Sequence, residues 1–183
     1  MARLIYASLA SLDGYVADDH GNFDWAEPDH EVHTFVNDAT RSIGTFLLGR
    51  RMYDVMKAWE TIEEDSPALR DFAAIWGAAD KVVYSRTLED VPTARTRLEP
   101  AFEAESVRRL KASSDRDLGI GGPGLAEHAI RAGLVDEWQL FLVPYVAGGG
   151  TPYFPEGVRT TVTLLEERRF AGGTVFLRYA TAR

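Results

Sequence analysis

Three short apolar runs in this sequence each stop at residues able to hold phosphate. Thr45-Phe46-Leu47-Leu48 runs into Gly49-Arg50-Arg51, Lys81-Val82-Val83-Tyr84 into Ser85-Arg86-Thr87, and Leu118-Gly119-Ile120 into Gly121-Gly122-Pro123-Gly124, with Leu125 next. Glycines at the opening of a helix let backbone N–H groups approach a pyrophosphate at the positive end of the helix dipole. Residues 119–124 also satisfy G-x-G-x-x-G, although the acidic residue that a Rossmann unit places about 20 positions later to bind ribose is replaced by Pro144-Tyr145 at the end of the following strand. The planar fork of arginine suits phosphate oxygens. Each feature alone has a plain structural alternative, a tight turn for the glycines and a solvated surface charge for each arginine. Three in a row at equivalent strand exits point to a phosphorylated dinucleotide, because open α/β sheets bind ligands beyond the carboxyl ends of their strands.

The elements that must position these exits follow from periodicity. Residues 3–11 are an apolar, partly alternating run that ends at Asp13-Gly14, a strand and turn. From Pro28 to about Ile43 the apolar residues Val32, Phe35, Val36 and Ala39 recur at helical spacing behind acidic Asp29 and Glu31. Arg50 to Ala58 reads as helix, Glu60 to Asp65 as an acidic surface loop, and Ser66-Pro67 as a capped start for a helix through Trp76. Glu103 to Ala112 is a charged amphipathic helix, and Leu125 to Ala132 a helix stopped by Gly133. The last third changes character: Glu137 to Val143, Thr161 to Leu165 and Thr174 to Tyr179 are strands joined by Gly/Pro loops, so antiparallel pairing is expected there. The prediction is an α/β fold of three layers, a mainly parallel sheet with helices on both faces and antiparallel edge strands, all within one domain over 1–183.

The ordered series resembles the dihydrofolate reductase superfamily. Leu47-Leu48-Gly49-Arg50-Arg51-Met52-Tyr53 is similar to its glycine-arginine turn, Val82 to Arg86 to its next cofactor strand, and Gly119 to Leu125 to its double-glycine phosphate turn. Ser11-Leu12-Asp13-Gly14, Leu142-Val143-Pro144-Tyr145 and Gly148 to Phe154 resemble the branch containing the riboflavin-pathway reductase domain. The resemblance implies a dihydrofolate reductase-like fold and NADPH held by Gly49, Arg50, Arg51, Ser85, Arg86, Gly121, Gly122 and Gly124, with Pro123 and Leu125 in the same turn. The implied reaction is hydride transfer to a C=N or C=O bond of a small pterin-, pyrimidine- or flavin-like heterocycle. Glu31 and Phe35, one helical turn apart, resemble the carboxylate and aromatic pair that holds a pterin, with Asp29 or His33 as alternatives on the same turn. Asp13 is placed near the nicotinamide end, or is simply a turn residue. Trp59 can stack on a planar substrate or pack in the core. One departure stands out: the riboflavin-pathway branch has Glu immediately before the double glycine, where this chain has Ile120. That departure keeps open a second reading, a nucleotide-binding or dimerisation module that retains the fold without catalysis.

Composition narrows the partners. The 183 residues carry a formal charge of −8 and 45% hydrophobic residues, ordinary for a globular domain and unfavourable for nucleic acid. No cysteine is present, which is compatible with a reducing compartment. The first twelve residues lack the apolar core and cleavage site of a signal peptide, and no apolar run reaches the ~18 residues of a membrane span, so a cytoplasmic protein is expected. No deaminase-like segment is expected ahead of the reductase-like one. His30, Glu31 and His33 lack a third metal-ligand motif, so no metal is expected. The C-terminal strands offer an edge for a homodimer.

Overall fold

The computed structural model describes residues 1–62 and 66–182. Its central sheet has eight strands: β1 (Leu4–Ala10), β3 (Ile43–Gly49), β4 (Asp80–Tyr84), β5 (Thr96–Glu99), β6 (Asp117–Gly121), β7 (Glu137–Leu142), β9 (Val162–Arg169) and β10 (Val175–Thr181), in the order β5-β4-β3-β6-β1-β7-β10-β9. Pairing is parallel from β5 through β7, and antiparallel between β7 and β10 and between β10 and β9. A separate ribbon pairs β2 (Tyr15–Ala17) with β8 (Thr151–Pro152). The helices are α1 (His30–Thr40), α2 (Arg50–Met56), α3 (Pro67–Ala78), α4 (Ala104–Ser113) and α5 (Pro123–Arg131).

Alternation along the strands sorts the two layers. On β3, Leu47 faces the cluster containing Val107 of α4 and Leu125, Ala126 and Ala129 of α5. Its neighbours Phe46 and Leu48 face Tyr53 of α2 and Phe72 and Trp76 of α3. Period-two strands buried on both faces read as continuous apolar runs, which is why the central parallel strands, though not the edge strand β5, were legible. Val32 and Phe35 of α1 pack on Phe141, Phe170 and Phe176 at the antiparallel end of the same sheet.

Several boundaries differ from the sequence reading. The pattern from Pro28 ends as helix at Thr40, and Ile43 opens β3. The helix from Arg50 is α-helical only to Met56 and continues as a 3-10 turn over Lys57–Glu60. Pro67 occupies the first turn of α3, but the Ser66 side chain makes no capping bond. Of the expected acidic loop, Glu60 is a structural residue that accepts from Trp76 Nε1 at 3.2 Å and from the Ala94 N–H at 2.8 Å. Glu63, Glu64 and Asp65 lie outside the described residues. The last three long strands are antiparallel neighbours only through β10, which inserts between β7 and β9. Gly133 does stop α5, at φ +65 with its N–H bonded to the Ile130 carbonyl at 3.0 Å.

Candidate active site

The three glycine- and arginine-bearing exits leave neighbouring strands at one level. In the parallel register Gly49 is opposite Tyr84, and Leu48 is opposite Gly121, so Arg50, Ser85 and Gly122 emerge side by side on one rim. Adjacent strands lie about 4.8 Å apart, which brings all three within the span of one extended ligand. The first and second exits are tied directly: Arg50 Nη1 donates to Thr87 Oγ1 at 2.6 Å, while Ser85 Oγ accepts the N–H groups of Thr87 and Leu88 at 3.2 and 3.1 Å. Arg86 is exposed and has no ion pair or hydrogen bond among the described residues.

The first and third exits lie side by side at their glycines. Gly122 has φ +92, a conformation L side chains rarely adopt, and a methyl there would come within 3.3 Å of Met52 Cβ and 3.9 Å of the Gly49 nitrogen. At Gly121 a methyl would lie 3.0 Å from both Leu48 Cδ2 and Met52 Cγ. Behind this turn Pro123 starts α5 and Leu125 packs in the core, its Cβ 3.5 Å from where a methyl on Gly49 would sit. The end of α5 has neither a capping side chain nor an acidic residue in its first turn. Its first intrahelical bond runs from Ala126 N–H to the Gly122 carbonyl at 2.9 Å, leaving the N–H groups of Gly124 and Leu125 at the helix mouth. Donor groups at a helix start of this kind can take an anion.

A cleft of about 570 Å³ opens beside this rim, lined by Asp18, Asp19, His20, Gly21, Arg51, Gly150 and Thr151. Its far wall is the β2–β8 ribbon, where Gly150 at φ +123 packs its α-carbon against the backbone of Ala17 and Asp18. Asp13 fastens this wall. Its carboxylate accepts from Ser11 Oγ at 2.6 Å and from the N–H groups of Ala147 and Gly148 at 3.0 and 2.8 Å. The Ser11 hydroxyl and those two N–H groups hold the Asp13 carboxyl down at about 2.

The α1 residues point in two directions. Glu31 accepts the Ala171 N–H at 3.0 Å and Arg168 Nη2 at 3.3 Å, and Phe35 packs edge-on against Phe170 and Phe176 with the Arg168 guanidinium over its ring. Both therefore dock α1 on the β9–β10 hairpin. Asp29 caps α1 by accepting the Val32 N–H at 2.9 Å. On the other side of the helix His33 packs on Trp59 and Phe72, with ring centroids 5.8 and 5.9 Å away, and burial lowers its pKa. Trp59 itself lies 4.6 Å from Phe72 in the α3 core cluster. None of Asp13, Asp29, Glu31, Phe35 and Trp59 is among the residues lining the cleft. Residues that sequence reasoning passed over do line it, namely Asp18, Asp19 and His20. An Asp-rich stretch between a turn and a glycine was their only signal. Beside the β4 exit a row of rings, Tyr84, Phe102 and His128, was also missed, because its members come from β4, the loop before α4 and α5.

Among the described residues no group of three or more His, Asp or Glu could hold a metal ion, and no helix is long and apolar enough to cross a membrane.

A family model for the RibD C-terminal domain matches residues 2–176. The chain is 29% identical to the Bacillus subtilis protein YyaP over 181 residues, covering 97% of this chain and 94% of that protein. Among solved structures it superposes with a TM-score of 0.77 and 22% identity, over the full length of both chains, on a protein of a Shewanella species ascribed to riboflavin biosynthesis. It also superposes with a TM-score of 0.68 and 14% identity on the Thermotoga maritima diaminohydroxyphosphoribosylaminopyrimidine deaminase/5-amino-6-(5-phosphoribosylamino)uracil reductase, covering 99% of this chain and 57% of that one.

Proposed function

The chain belongs to the RibD C-terminal domain family, and from that premise we propose that it is an NADPH-dependent reductase that delivers hydride to a small flat heterocycle. The observation that carries this reading is the shared rim of the β3, β4 and β6 exits, with the glycine turns of β3 and β6 side by side and the β3 and β4 exits bridged by Arg50. NADPH, when bound, supplies the hydride. The mouth of α5 and the Gly121-Gly122 turn would take its pyrophosphate. Arg50, Ser85 and Arg86 would take the phosphate on its adenosine, and Arg51 reaches the same rim from the cleft side. The protein's own work is to align the ring in the cleft.

The test is direct. NADPH should raise the melting temperature, by a stabilisation of about 2.7 kcal/mol at a hundred times its dissociation constant, NADH should do less, and absorbance at the nicotinamide band should fall with a pterin, flavin or pyrimidine acceptor. Equal and negligible shifts with both dinucleotides would sink the reading.

A second reading, a nucleotide-binding module without catalysis, is favoured by the engagement of every candidate acid. Asp13 holds three donors, Asp29 caps a helix and Glu31 grips the hairpin. It predicts NADPH binding with no oxidation across the same panel. In either reading we propose a homodimer through β9, an edge strand that exposes Val162, Leu164 and Leu165, working in the cytoplasm.

A further inference from the structure

We infer that the cleft beside Arg51 selects an unphosphorylated heterocycle, uncharged or cationic, as the molecule to be reduced; this rests on the reductase reading above and deepens it. Two carboxylates, one guanidinium and the imidazole of His20 line the cleft. Asp18 cannot swing its charge away, because its Oδ1 accepts the N–H groups of His20 and Asn22 at 2.9 and 2.8 Å. Asp19 rests on the facing loop, where a methyl on Gly149 would come within 3.1 Å of its Oδ1. Arg51 forms no ion pair with either of them among the described residues, so the wall presents an acceptor side and a donor side with room between.

A ring edge carrying amino or N–H donors beside a carbonyl acceptor satisfies both sides. A phosphate group does not. It would meet the Arg51 guanidinium and the His20 imidazole against two carboxylates, of which Asp18 is held by backbone N–H groups, on a chain of net charge −8, with the dinucleotide's phosphates bound on the adjoining rim. Charges that share one cleft are screened by salt over a Debye length of about 8 Å at physiological ionic strength, so the discrimination should depend on salt.

The experiment uses the whole chain, first titrated with NADPH by tryptophan fluorescence and then, saturated with it, dialysed against matched pairs differing only in a 5′-phosphate: riboflavin with FMN, and cytidine with CMP. At least one unphosphorylated member should bind, its phosphorylated partner roughly five- to tenfold more weakly at low salt, with the gap closing as salt is raised. Asp19→Lys should narrow or reverse the gap, and Asp19→Asn should narrow it less, both with wild-type melting temperatures. Tighter or equal binding of the phosphorylated members, binding of no member of either pair, or a gap indifferent to Asp19→Lys would each overturn the inference. Absence of NADPH binding in the first titration would overturn the reductase reading and the inference with it, whereas NADPH binding followed by the wrong probe order overturns the inference alone.

Discussion

The carboxylate of Asp13 accepts the backbone N–H of Gly148, 135 residues further along the chain, at 2.8 Å. Through this bond and its companion to Ala147, a turn at the end of β1 holds the loop that follows β7, which leads into Gly150 and Thr151 in the lining of the cleft.

Because Asp13 titrates at about 2 in the folded chain and near 3.8 when unrestrained, its contribution to stability is fully present above pH 4. It is lost as pH falls from about 4 through 2. Asp13→Asn should therefore lower the melting temperature at pH 7 and flatten its decline across that acid window. Melting curves recorded from pH 7 down to 2 read the difference, and parallel curves for the two proteins would contradict the staple.

Gly122→Ala should be destabilising, by about 1–2 kcal/mol, since a side chain at φ +92 is strained and its methyl presses on Met52. It should also abolish the NADPH-induced stabilisation. Arg86→Ala, at an exposed position without partners among the described residues, should leave stability unchanged and weaken NADPH about tenfold while barely altering NADH. Chemical denaturation and dinucleotide titrations separate the two effects.

Glu31 and Arg168 form an exposed pair that docks α1 on the β9–β10 hairpin. Such pairs contribute little, so Glu31→Ala should cost about 0.5–1 kcal/mol of stability. NADPH affinity should stay within a factor of about two, since Glu31 is remote from the rim formed by Arg50, Ser85 and Gly122. A loss of cofactor binding in this variant, measured by the same titration, would place Glu31 in the site after all.

Leu164 and Leu165 on β9 are each 47% exposed. Replacing both with Lys should convert a sedimenting dimer to monomer without lowering helix or strand content in circular dichroism. A wild-type chain that sediments as a monomer at micromolar concentration would remove the edge-pairing proposal.

How much of this was readable before folding depends on range. The strands that end at Gly49, Tyr84 and Gly121 are continuous apolar runs punctuated by glycine, arginine and serine, and the Gly133 stop is a single-residue conformational preference. Such signals are set by backbone sterics and by neighbours a few positions away. β5 escaped notice because Thr96-Arg97-Leu98-Glu99 is a polar edge strand with no buried residue, and the β2–β8 ribbon because two or three residues carry no period.

By itself, then, the amino-acid order determined the family resemblance, the parallel sheet, the three phosphate-competent exits and the acidic, cysteine-free character of the chain. Tertiary structure alone decided that Glu31 and Phe35 turn to the hairpin, that Asp13 joins two loops, that β10 slips between β7 and β9, and that Asp18, Asp19 and Arg51 face one another across a cleft. The physical reason is that a side chain's partner is chosen by which surfaces the whole chain buries together, and contacts between residues a hundred positions apart leave no local pattern to read.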